Sequence, residues 1–181
     1  MIVLLAGLIL WSAVHFWKRL APDHRATFSD KGKMIVAIGS VVAIVLMVIG
    51  YRAAEGPVFW GRSAALTGIN NLLMIFAIYL FAASGAKTKI TKAIRHPQLS
   101  AVVVWAAAHL LVNGDAESFV LFGGLALWAL WEMRVINRAT GPRGPYHAVP
   151  VKKEVTAIVA TVVVTIVVSG VHTLLGYNPF G

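Results

Sequence analysis

Along this chain, long apolar runs alternate with short polar segments rich in Lys and Arg. The apolar runs are Met1–Trp17, Met34–Tyr51, Ala64–Ala86, Pro97–Val112, Phe119–Met133 and Val155–Leu175. A membrane-crossing helix needs about 20 apolar residues, with a range of roughly 17–25. The pattern therefore predicts an all-α, polytopic transmembrane helical bundle of six spans. The first run meets the lower limit, and the fourth and fifth are short enough that a re-entrant pair is the alternative. Pro97 suits the first turn of a helix, where its missing N–H costs nothing. Glu55-Gly56-Pro57 and Asn113-Gly114-Asp115 read as polar loops between spans. With no internal repeat, low-complexity tract or soluble appendage, residues 1–181 read as a single transmembrane domain.

Basic residues repeat the same alternation. The first connection holds Lys18, Arg19, Arg25, Lys31 and Lys33. The third holds Lys87, Lys89, Lys92 and Arg95, and the fifth holds Arg134, Arg138, Arg143, Lys152 and Lys153. Only Arg52 and Arg62 fall in the second, so the odd connections carry fourteen of the 16 basic residues. Basic loops are retained in the cytoplasm. Both termini are then expected on the outer, periplasmic side of an inner (cytoplasmic) membrane. Lys18 and Arg19 follow the first apolar run instead of preceding it, which fits a retained helix better than a cleaved leader.

Composition narrows the class further. Hydrophobic residues make up 59% of the chain and charged residues 13%, far from the balance of a soluble domain. The net charge of +9 is distributed between apolar runs, so it points to lipid headgroups as partners and away from nucleic acid. There is no cysteine, which excludes disulfides, thiolate nucleophiles and iron–sulfur clusters.

Candidate chemistry rests on histidine. His15, His109 and His172 lie inside apolar runs, and polar groups there are often functional. Trp11 precedes His15, and Trp105 precedes His109, by four residues, one helical turn on the same face. An imidazole with its ordinary pKa near 6.5 is readily neutral. Two neutral imidazoles on separate helices are what axial ligation of a haem requires. By depth alone, His15 with His109, His15 with His96, and His109 with His172 are equally possible pairs. Plain helix packing is the non-chemical reading. His96 precedes Pro97 and can cap that helix or join a site, whereas His24 and His147 read as solvated loop residues. Glu132 is expected to pair with Arg95 or Arg134, and Asn70 and Asn71 to stitch helices together. Small residues such as Gly39, Ser40, Ala82, Ala83, Gly123 and Gly124 would allow close helix approach. No H-E-x-x-H zinc motif, hydrolytic triad or phosphate-binding glycine loop is present.

Arg95-His96-Pro97-Gln98, His109 thirteen residues after His96, the histidine of the first run and the Gly-Gly-Leu-Ala-Leu-Trp segment ending at Trp128 resemble the NnrU family of integral membrane proteins. That resemblance implies a role in denitrification, in nitrite or nitric oxide metabolism, with a membrane redox partner. The family is similar in turn to 15-cis-zeta-carotene isomerase, whose b-type haem is held by two histidines matching His15 and His109. The resemblance thus favours haem b on that pair, flanked by Trp11, Trp105 and His96, with Arg95 and Arg19 or Lys18 meeting its propionates. Ala106 stands where the isomerase has cysteine, and Trp128 near a further histidine, so carotenoid isomerisation is not carried over.

A second resemblance, through Arg95-His96-Pro97, Glu132 and Tyr146…Val149-Pro150, is to membrane methyltransferases of the isoprenylcysteine carboxyl type. It implies S-adenosylmethionine, but Leu99 and Ala101 replace two residues of that motif. A non-enzymatic accessory subunit is the third expectation. Substrate, electron donor and oligomeric state are not encoded legibly.

Overall fold

The computed structural model describes residues 1–142 and 148–180. Arg143, Tyr146 and His147, named above, lie outside the described residues. Among the described residues the fold is all-α apart from one two-stranded ribbon. Its elements are α1 (Ile2–Leu20), α2 (Pro22–Ala26), α3 (Lys31–Arg52), β1 (Val58–Trp60), α4 (Ala64–Ala86), α5 (Ile90–Ala93), α6 (Pro97–Val112), β2 (Gly114–Asp115), α7 (Ala116–Ser118), α8 (Gly124–Thr140) and α9 (Val151–Leu174). A π-helical turn, Phe119–Gly123, joins α7 to α8, giving one rod over Ala116–Thr140.

Among the described residues, five helices are long and apolar enough to cross a membrane: α1, α3, α4, the α7–α8 rod and α9. α6 is the exception. Its 16 residues reach about 24 Å at 1.5 Å per residue, less than a hydrocarbon core of about 30 Å. The fifth run is longer than its apolar content indicates. A side-chain cap starts it early, the Asp115 carboxylate accepting from Ser118 N–H at 2.7 Å, and Gly141 with positive φ ends it. Ser63 caps α4 in the same way.

Packing places the helices in the order α3, α1, α8, α6, α4, α9. Between apolar helices in lipid, burial from water supplies little, and close van der Waals contact takes its place. The α1–α3 pair achieves this with glycine. A Cβ on Gly7 would lie 2.8 Å from the Met47 backbone nitrogen, and one on Gly50 would collide with the Leu4 backbone. Gly39 against Val14 and Gly124 against Leu8 act as expected for small residues, but Gly123 has nothing within 4 Å. Gly7 and Gly50 are the decisive positions, and no sequence spacing marked them.

The two polar loops are joined. Val58 pairs with Asp115 and Trp60 with Gly114 in an antiparallel ribbon. Trp60 Nε1 donates to the Leu110 carbonyl at 3.1 Å, and Gly56 N–H donates to Glu117 at 3.2 Å. The expected tight turn at Asn113–Asp115 is therefore half of a clasp holding the α3–α4 loop.

The histidine–tryptophan seams

The core of the bundle forms where α1 and α6 flank the α7–α8 rod. Leu4 and Leu8 of α1, Met47 of α3, and Leu125, Trp128 and Ala129 of α8 are buried together, with Trp11 and Trp105 packed against them. Both intramembrane Trp-x-x-x-His patterns face this core.

On α1, His15 Nδ1 bonds the Trp11 carbonyl at 2.8 Å, and the two rings lie 4.1 Å apart, centroid to centroid. Trp128 meets both edge-on, at 5.4 Å from Trp11 and 5.1 Å from His15. On α6, His109 Nδ1 bonds the Trp105 carbonyl at 2.9 Å. Phe122 stacks on His109 at 4.6 Å and meets Trp105 at 5.0 Å. The carbonyl bond fixes Nδ1 as the protonated nitrogen and leaves the Nε2 lone pair of each histidine without a hydrogen-bond partner among the described residues. His172 makes the same bond to Val168 at 2.8 Å. That tie is thus a habit of helical histidine; the aromatic enclosure sets His15 and His109 apart.

Residues 15 and 109 therefore face one rod from two helices, neither pointing away into lipid. Their depths differ. Their ring partners Trp128 and Phe122 are six residues apart, about 9 Å along a helix.

At the end of the bundle where most basic residues gather, the polar partners differ from those expected. Glu132 is 7% exposed and pairs with Arg19 at 3.4 Å, not with Arg95 or Arg134. Arg95 donates instead to the Thr140 hydroxyl at 2.8 Å and the Gly141 carbonyl at 2.6 Å. Its guanidinium thus holds the end of α8, and both arginines expected at haem propionates are already engaged. His96 occupies the N-cap position of α6 without a side-chain cap bond; its Nε2 meets Asn137 Oδ1 at 2.8 Å. Asn70 bonds its neighbour Asn71 on the same helix at 3.0 Å, so this pair does not stitch helices. His24, exposed as expected, accepts from Trp17 Nε1 at 2.9 Å.

Long apolar helices around a core of paired imidazole and indole rings define a polytopic helical membrane protein. A family profile described as "NnrU protein" matches residues 3–179, and the chain belongs to that family. No curated protein and no solved structure matches it.

Proposed function

We propose that this NnrU family member is a haem b-binding protein of the inner membrane with a redox or accessory role in denitrification, and that His15 and His109 hold the haem. The observation carrying this reading is the state of the two imidazoles. Each has Nδ1 anchored to its own helix and a free Nε2 lone pair, and both face one rod within an aromatic enclosure. Anchoring of the second nitrogen is the usual arrangement behind a metal-binding histidine. Donor chemistry fits the group; because Trp128 and Phe122 of the intervening rod cover the two imidazoles, at depths about 9 Å apart, joint ligation requires those rings to move aside as well as α1 and α6 to shift. A haem held there by His15 and His109 would supply one-electron transfer. Around it, this chain's part is to exclude water with Trp11, Trp105, Phe122 and Trp128 and to fix the imidazole tautomers.

Six spans with both termini on the periplasmic side accompany this reading, supported by the clustering of basic residues in alternate connections. Lipid is the immediate partner, and a membrane redox protein of nitrite or nitric oxide metabolism is the proposed one. The methyltransferase reading gains no support, since Glu132 is engaged by Arg19 and His96 by Asn137.

The test is a visible spectrum of full-length protein purified in detergent from haem-supplemented cells. A low-spin Soret band is expected, lost in His15→Ala and in His109→Ala and retained in His172→Ala. Colourless wild-type protein, or a band indifferent to both substitutions, overturns the proposal.

A further inference from the structure

The side of α1 turned away from α3 and α8 carries a groove of about 510 Å³, lined by Ser12, Ala13, Val14, Phe16, Trp17 and Leu20. At about 100° per residue, Ala13 and Leu20 project between Phe16 and Trp17. Two rings therefore flank a floor that is hollow at the methyl of Ala13. Each wall is backed by another ring: Phe28 meets Trp17 edge-on at 5.2 Å, and Trp131 of α8 stands 6.1 Å from Phe16. Leu20 and Trp131 are 68% and 65% exposed, so the groove opens to the acyl chains. From Ser12 to Leu20 it covers about 12 Å of helix rise, less than half of a hydrocarbon core of about 30 Å. It serves one leaflet, the one at the basic end of the bundle.

At its mouth, the segment after α1 folds back onto Trp17. The indole N–H donates to His24 Nδ1 at 2.9 Å, which puts the proton of the neutral imidazole on Nε2 as a further donor. Arg25 stands over the same indole, 5.5 Å from its centroid, with one N–H on the Ser29 carbonyl at 3.1 Å. Lys18, beside Trp17, has no ion-pair partner among the described residues. Asp30 is tied to Lys33 at 2.9 Å, so in this connection Asp23 alone stands against Lys18, Arg25 and Lys31.

Donors with a surplus of positive charge thus lie at the mouth of an apolar slot, and the two halves specify one amphiphile. A free phosphate would leave the slot empty, and a zwitterionic headgroup would bring an ammonium to a rim already positive. An anionic phospholipid supplies an acyl chain for the slot and an uncompensated phosphate for the donors. A second groove, on α9, is lined by valine, threonine and alanine alone, with no ring to fix a chain.

We propose that the α1 groove between Phe16 and Trp17 holds one resident anionic phospholipid, its phosphate received by Lys18, His24 and Arg25. This is a single stoichiometric site, beyond the general contact of the bundle with lipid, and it stands independently of haem.

Native mass spectrometry of the full-length protein in detergent, titrated with phosphatidylglycerol and with phosphatidylcholine of identical acyl chains, tests it. One phosphatidylglycerol per chain is expected to bind, about tenfold more tightly than phosphatidylcholine, as a pair of basic side chains at an anionic headgroup allows. Lys18→Gln with Arg25→Gln should erase that preference. Lys87→Gln with Lys89→Gln removes equal charge beyond the end of α4, away from α1, and should keep it. Ala13→Trp, which fills the slot from the lipid side, should weaken phosphatidylglycerol binding severalfold. Should the Arg25 change unsettle its loop, Lys18→Gln alone, which breaks no bond, should still reduce the preference. Equal binding of the two lipids, wild-type binding in Ala13→Trp, an unchanged preference in Lys18→Gln, or as large a loss in the Lys87 and Lys89 variant overturns the proposal.

Discussion

Gly50→Ala is expected to destabilise the bundle by about 3 kcal/mol or more, the upper end of what overpacking costs in a well-packed interior. The added methyl would meet the backbone of Leu4. A backbone cannot rotate aside as a side chain can, so α1 and α3 would have to separate along their length. Separation would also loosen Gly7 from Ala43 and Met47, which share the same crossing. Thermal unfolding in detergent, followed by near-ultraviolet circular dichroism, measures the effect. Gly68→Ala is the matched control: nothing lies within 4 Å of its Cβ, and alanine favours a helix over glycine by up to about 1 kcal/mol. A Gly50→Ala protein as stable as the Gly68→Ala protein would show that α1 and α3 do not cross this closely.

Arg19→Met is expected to cost about 2 kcal/mol, and adding Glu132→Met should recover most of it. Removing one partner of a buried ion pair leaves a stranded charge, a loss of about 3–5 kcal/mol when both groups are fully enclosed. Arg19 keeps a third of its side chain exposed, so water offsets part of that penalty. The double substitution leaves no stranded carboxylate and puts two flexible apolar chains on the seam. Unfolding midpoints of the wild type, both single variants and the double variant close the cycle. If the double variant loses as much as the two single variants added together, the pair is not coupled and the assignment of Arg19 to Glu132 fails.

The architecture was legible because it depends on long stretches of residues. Apolar run length gives five of the helices directly. Trp11 and Trp105 put each histidine on one face with an indole a turn away, but nothing in that spacing says which helix the face meets. The rest depends on which helix neighbours which, and that is a property of pairs distant in the chain. Nothing local to Glu132 distinguishes Arg19, 113 positions away, from Arg134 two positions away. Gly7 and Gly50 look no different from Gly123, because a glycine's importance depends on what another helix places against it. The ribbon between Val58–Trp60 and Gly114–Asp115 is too short for alternation to announce it. Asp115 could have been read as a helix cap, with Ser118 three residues on.

The wide turn at Phe119–Gly123 governs the phase of everything after it. A π turn holds one more residue than the α-helical turn it replaces, and each residue rotates a helix by about 100°. Were that surplus residue lost, Trp128 and Glu132 would swing by roughly a quarter of a circle, away from α1 and towards the acyl chains. The register between the two tryptophan-bearing helices is therefore a matter of residue number: a homologue one position shorter here could keep every aromatic and acidic side chain and still have no seam.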